Sequence, residues 1–135
     1  MEKFYKAPRY VFRKLNIMKI IKEVNVESFL DIGCGGGELA ASLAKKGLNG
    51  KAVDFSEEAL NVAKGIRNDY KISESSLILS NDSMEHMISK KEQYDLVIST
   101  EVMEHVEDDF LFLSNLKKLS NKYILISVPA KQKLF

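Results

Sequence analysis

Phe29-Leu30-Asp31-Ile32-Gly33-Cys34-Gly35-Gly36-Gly37-Glu38-Leu39-Ala40 is an apolar run that takes in an acid, meets glycine at every second position and passes at once into a helical pattern. That order describes a buried parallel strand turning sharply into a helix, through a turn too crowded for side chains. Such a turn lets a ligand lie against bare backbone at a helix N-terminus. The carboxylate of Asp31 beside it suits a ligand carrying an ammonium group better than a bare pyrophosphate.

Outward from this turn the chain alternates strand and helix, with no internal repeat or Pro/Gly-rich linker. Residues from about Arg9 to Val24 read as an amphipathic helix with Val11, Leu15, Met18 and Ile21 at helical spacing. The first strand is expected over Ser28 to Ile32 and the helix after the glycines over Gly36 to Lys46, with Gly47 and Gly50 bracketing its stop. A second strand follows over Lys51 to Asp54, and Ser56 caps a helix that runs to about Asn68. A third strand covers Ser76 to Leu79, a short helix Met84 to Ser89, and a fourth strand Tyr94 to Ser99. The helix over Glu107 to Leu119 is expected to turn Phe110, Leu113 and Leu116 inward. A last strand over Tyr123 to Val128 stops at Pro129. Five strands separated by helices predict an α/β, Rossmann-like, doubly wound parallel sheet in the order 3-2-1-4-5, with helices on both faces. The topological switch point then falls between the first and fourth strands, where such sheets bind ligands.

Bulk properties exclude several classes. The 135 residues fit a single domain, with the N-terminal helix at about 9–24 and the core at 27–130. A net charge of +1 gives no global field toward nucleic acid or acidic membrane, so a nucleic-acid partner is disfavoured. Lys3, Lys6, Arg9, Arg13, Lys14, Lys19 and Lys22 nonetheless crowd the N-terminal segment against Glu2 alone, which reads as a solvated helix face. The single cysteine, Cys34, rules out an internal disulfide and fits a reducing, cytoplasmic setting. No apolar run approaches the ~20 residues of a membrane span.

The glycine spacing then discriminates between ligands. A dinucleotide fingerprint needs glycine where Glu38 stands, so an NAD-dependent oxidoreductase is disfavoured. Asp31-x-Gly33-x-Gly35-x-Gly37 instead resembles motif I of the class I S-adenosylmethionine (SAM) dependent methyltransferases. The resemblance implies that Asp31 and the turn Gly33, Cys34, Gly35 and Gly37 hold the amino-acid end of SAM. Asp54, at the end of the second strand, would take the ribose diol, with Phe55 walling the adenine and Ser56 beside it. Asp82 and Ser83, after the third strand, resemble the family's adenine-binding turn. His86 reads as surface or packing.

Tyr94-Asp95-Leu96-Val97-Ile98-Ser99-Thr100-Glu101-Val102-Met103-Glu104-His105-Val106 resembles the motif IV region of one methyltransferase branch, where a strand ends in Glu-x-x-Glu-His. By that resemblance Thr100, Glu101 and Val102 line the floor of the site. Glu101, Glu104 and His105 stand at i, i+3 and i+4, so a helical segment would present all three on one face. The plain reading of His105 is structural. The sharper ones make it a general base, with Glu101 beside it, or place Glu101, Glu104 and His105 around a divalent ion. Small-RNA methyltransferases of this type need a further histidine downstream, and none follows His105.

The family implies methyl transfer to a small-molecule oxygen or nitrogen nucleophile, with glycans, lipids or quinone-like metabolites favoured. A SAM-binding module without turnover and an RNA methyltransferase stand as alternatives. The family's sheet continues past Val-Pro-Ala into an antiparallel hairpin, so a chain truncated after the fifth strand is expected to leave one sheet edge open to self-association.

Overall fold

A computed structural model of the chain describes residues 14–100, 102 and 105–127. Helix α1 occupies residues 14–22. It is followed by β1 (Ser28–Ile32), α2 (Glu38–Lys45), β2 (Asn49–Val53), α3 (Glu57–Asp69) and β3 (Leu77–Ser80). Helix α4 (Met84–Ser89), β4 (Tyr94–Thr100), α5 (Asp109–Leu119) and β5 (Ser120–Ser127) complete the order. The five strands form one sheet in the order β3-β2-β1-β4-β5, as expected, and every pairing is parallel. Ile32 pairs with Val53 and Ser99, and Val53 with Ser80, so the strands all deliver their C-terminal ends to one edge of the sheet.

Alternation along the strands builds two cores. Phe29, Ala52, Leu77, Leu96 and Ile98 pack under α1 and α2 through Ile17, Met18, Ile21, Ala40, Ala41 and Leu43. Leu30, Ile32, Val53 and Val97 face the other way, against Met87 of α4 and Phe112, Leu116 and Leu119 of α5. Burying both faces is what makes these strands nearly continuous apolar runs.

Several boundaries and faces differ from expectation, each for a local reason. Gly50 lies inside β2 and not at a helix stop: a Cβ there would come within 2.2 Å of the Phe29 ring, so the strand needs glycine for Phe29 to cross it. Leu15 is 58% exposed, because α1 turns Ile17, Met18 and Ile21 inward and leaves Leu15 off that face. Phe110 is 87% exposed; two residues from Phe112, it projects about 200° away from the buried side of α5. Helix α5 begins at Asp109 because Asp108 caps it, its side chain accepting from the Leu111 N–H at 3.0 Å. Strand β5 starts at Ser120, directly on the end of α5. Helix α2 starts at Glu38, after Gly37 in the left-handed region. Val11, Val128 and Pro129 lie outside the described residues.

Candidate functional site

At the C-terminal strand edge the glycine turn and β2 are locked together. The N–H groups of Gly33 and Cys34 both donate to the Val53 carbonyl at 2.9 Å. Asp54, the next residue, accepts from the Gly35 N–H through Oδ2 and from the Ser56 N–H through Oδ1, both at 2.9 Å. One carboxylate thus sets the turn after β1 against the start of α3. Ser56 caps that helix, its hydroxyl accepting from the Ala59 N–H.

The glycines have separate tasks. A Cβ on Gly33, at φ +72°, would stand 2.5 Å from Cγ2 of Val102, so Val102 can close over the turn only if no side chain is there. Gly35, at φ +56°, faces open space, with nothing within 4 Å of where a Cβ would be. Bare backbone therefore meets the outside at Gly35, where a ligand could lie against it.

Asp31 is the anomaly of the site. Its side chain is buried, 2% exposed, and among the described residues Oδ1 has no hydrogen-bond partner. Burial first, and then the negative charge of Asp54, push its carboxyl up to about 7. Burial, reinforced by Asp31 and Asp54, pushes the Cys34 thiol up to about 12, so it is an inert packed residue and no nucleophile.

A cleft of about 240 Å³ opens beside the turn, lined by Gly33, Asp54, Phe55, Asp82 and Val102 among the expected residues. Ile32, Val53, Met84, Glu85, Val106 and Phe112 line it as well, and sequence reasoning missed them. Their signal was apolar spacing, which looks the same in a core as in a cleft wall. Asp31, Cys34, Gly35 and Gly37 belong to β1 and the turn rather than to the cleft wall. Ser83 caps α4 by accepting from the His86 N–H at 3.1 Å, and Thr100 ends β4 paired with Ser127. His105 is exposed, and its backbone N–H donates to the Val102 carbonyl at 2.9 Å. Glu101 and Glu104, the other members of the Glu-x-x-Glu-His segment, lie outside the described residues.

The third acid is differently supported. Lys51, buried in mid-β2, places Nζ 2.9 Å from Asp82 Oδ2 and 3.1 Å from Glu92 Oε1. His86 Nδ1 lies 2.5 Å from Asp82 Oδ1, so His86 is an Asp82 partner and not merely surface. The Lys51 hydrogen bond, more than any other influence, holds the Asp82 carboxyl below the usual carboxylate range. Lys51 and Glu92 went unnoticed in the sequence because a lysine inside a strand looks like an outward-facing one.

The methyltransferase domain family matches residues 23–134. The chain belongs to the SAM-dependent methyltransferases. The ubiquinone biosynthesis O-methyltransferase of Hydrogenovibrio crunogenus is 29% identical over 136 residues, covering 90% of this chain and 56% of its own length. That of Glaesserella parasuis is 31% identical over 119 residues, covering 76% and 50%. A SAM-dependent methyltransferase from Thiobacillus denitrificans, solved with S-adenosyl-L-homocysteine, shares the fold at a TM-score of 0.69 and 17% identity, over 84% of this chain and 47% of that one. The chain spans about half the length of the curated relatives it matches. The cofactor of this methyltransferase family is SAM, and the chain's residues fit it. Asp31 has an orphaned buried acceptor for a cationic donor, Gly35 leaves backbone open, and the cleft offers apolar walls with acids at Asp54 and Asp82. Among the described residues no helix is long and apolar enough to cross a membrane.

Proposed function

We propose that this chain carries the cofactor half of an enzyme that moves a methyl group from SAM to an oxygen or nitrogen of a small molecule. The observation that carries the reading is Asp31, a buried carboxylate with one unpartnered oxygen at the head of a glycine turn. Leaving such a group unsatisfied is costly, and an ammonium donor is the partner that relieves it. Asp54 keeps lone pairs beyond the two that the Gly35 and Ser56 N–H groups occupy, and offers them to the ribose diol. Phe55, 87% exposed at the cleft, covers the adenine, and Asp82 accepts from its amine.

Bound SAM supplies a methyl group already activated by a positive sulfur. The chain's own task is placement and the exclusion of water, which the apolar walls Ile32, Val53, Val102, Val106 and Phe112 perform. We assign His105, exposed on the turn after β4 and next to the cleft-lining Val106, as the base that takes the proton of an acceptor hydroxyl. Among acceptors we favour a quinone-like phenol over a lipid or glycan, on the strength of the relatives named for ubiquinone biosynthesis.

Calorimetric titration with SAM and, separately, NAD tests the cofactor. Binding of SAM that Asp54→Ala weakens about tenfold or more supports the reading, by the usual worth of a charged hydrogen bond. Binding of NAD and not SAM overturns it. Release of S-adenosylhomocysteine in the presence of a catechol tests the acceptor, and its loss in His105→Ala with SAM affinity kept tests the base.

A further inference from the structure

Lys51 is a lysine in the middle of a five-stranded sheet, its side chain 9% exposed, on the face that packs α4 and α5. An ammonium stripped of water there needs charged partners, and it has two. Nζ donates to Asp82 Oδ2 at 2.9 Å and to Glu92 Oε1 at 3.1 Å, and Glu92 Oε1 also accepts from the Tyr94 hydroxyl at 2.7 Å. Asp82 precedes α4 and Glu92 follows it, so one cation ties both ends of that helix to β2. Of this group only Asp82 lines the cleft.

We propose that Lys51 is a positioning residue for the cofactor's base: with His86 it fixes the Asp82 carboxylate as an ionised acceptor, and so sets a preference for a 6-amino over a 6-oxo purine. The inference rests on the cofactor reading above and goes beyond it by naming what selects the base. A carboxylate has about four lone-pair directions. Lys51 uses one on Oδ2 and His86 one on Oδ1, which locks the side-chain rotamer and leaves one free on each oxygen. The cluster sets Lys51 against two acids, Asp82 and Glu92. Lys51's single charge therefore leaves one of the two acids unmatched, and the further acid Glu85 lines the cleft beside Asp82. An adenine amine donates to such a group. A 6-oxo purine turns an acceptor toward that carboxylate where adenine has a donor, and keeps a donor only at the neighbouring N1–H.

The test is calorimetry with S-adenosylhomocysteine and S-inosylhomocysteine, which differ at the 6-position and in the proton that the 6-oxo base carries on N1. The wild type is expected to prefer the adenosyl compound by about tenfold or more, as a charged hydrogen bond would give. Lys51→Met keeps the apolar stem and removes the charge, and is expected to cut that preference about fivefold. Glu92→Gln weakens Lys51's other pair but leaves Lys51–Asp82 standing; it lowers Tm and keeps the preference. A folded Lys51→Met with an unchanged preference overturns the proposal, as does an equal loss in Glu92→Gln. Should Lys51→Met not fold, His86→Ala, at a half-exposed position, must lower the preference about threefold, and an unchanged ratio overturns the proposal there too. A wild type that binds both compounds equally overturns this inference alone, whereas one that binds neither overturns the cofactor reading with it.

Discussion

Where β1 and β2 end beside the cleft, Asp31 and Asp54 face each other's charge, and among the described residues neither has a cation partner. At the β3 end, Asp82 is held between Lys51 and His86. The first end is electrostatically incomplete: burial and a like charge lift the Asp31 carboxyl to about 7, and one oxygen lacks a hydrogen bond. The second is complete in itself, with Asp82 lowered by its lysine. A ligand's own positive charge can finish the first end, while the second is prepared to accept a neutral donor. Binding sites often combine these two devices, one gaining affinity from unmatched charge and the other gaining selectivity from fixed geometry.

The largest effect expected from breaking this contrast is at Asp31. Asp31→Asn should weaken SAM about a hundredfold, since it removes the charge that meets an ammonium in a buried site. The same variant should raise the Tm of the free protein at pH 8. The folded carboxyl titrates near 7 and the unfolded one near 3.8, so the folded state holds the proton longer. Wild-type stability therefore falls as pH rises between those values and is level above them, and Asp31→Asn should lack that fall. Thermal melts from pH 4 to 8 without ligand check the sign; a wild type that gains stability over that window through this residue contradicts it.

Asp54→Ala should act on both affinity and stability. It loses a ribose contact and strands the Gly35 and Ser56 N–H groups, for about 1–3 kcal/mol in urea unfolding. Asp82→Asn should be milder for SAM, about threefold by calorimetry, because an amide oxygen still accepts one hydrogen bond. Smallest is Ser83→Ala, which removes the α4 cap and should cost about 1 kcal/mol of stability with the purine preference intact. If Ser83→Ala changed that preference as much as Lys51→Met, the cleft's β3 end would be acting through helix stability and not through a fixed carboxylate.

Much of the fold was legible because the signals were local. Glycines 33, 35 and 37, the cap at Ser56 and the five apolar runs each write their structure within a few residues of themselves, and right-handed crossovers put the helices on both faces of the sheet. Face assignment on helices was less legible. Leu15 and Phe110 are as apolar as Met18 and Phe112, and only packing against the sheet decided which of each pair is buried. In the site, Asp31, Gly33, Asp54, Phe55, Asp82 and Val102 could be named from motif positions. The apolar cleft walls could not be, nor could Asp82's two nitrogen partners, Lys51 and His86, because those contacts join residues 31 and 4 positions away through a sheet and a short helix.

The sequence by itself determined the parallel α/β sheet, the glycine turn and the three acids at strand ends, since each depends on residue type and short-range spacing. Only the tertiary structure decided what state those acids are in. Asp31 became a buried carboxyl near 7, Asp54 a brace between two loops and Asp82 a clamped carboxylate, because desolvation and charge act through space and not along the chain.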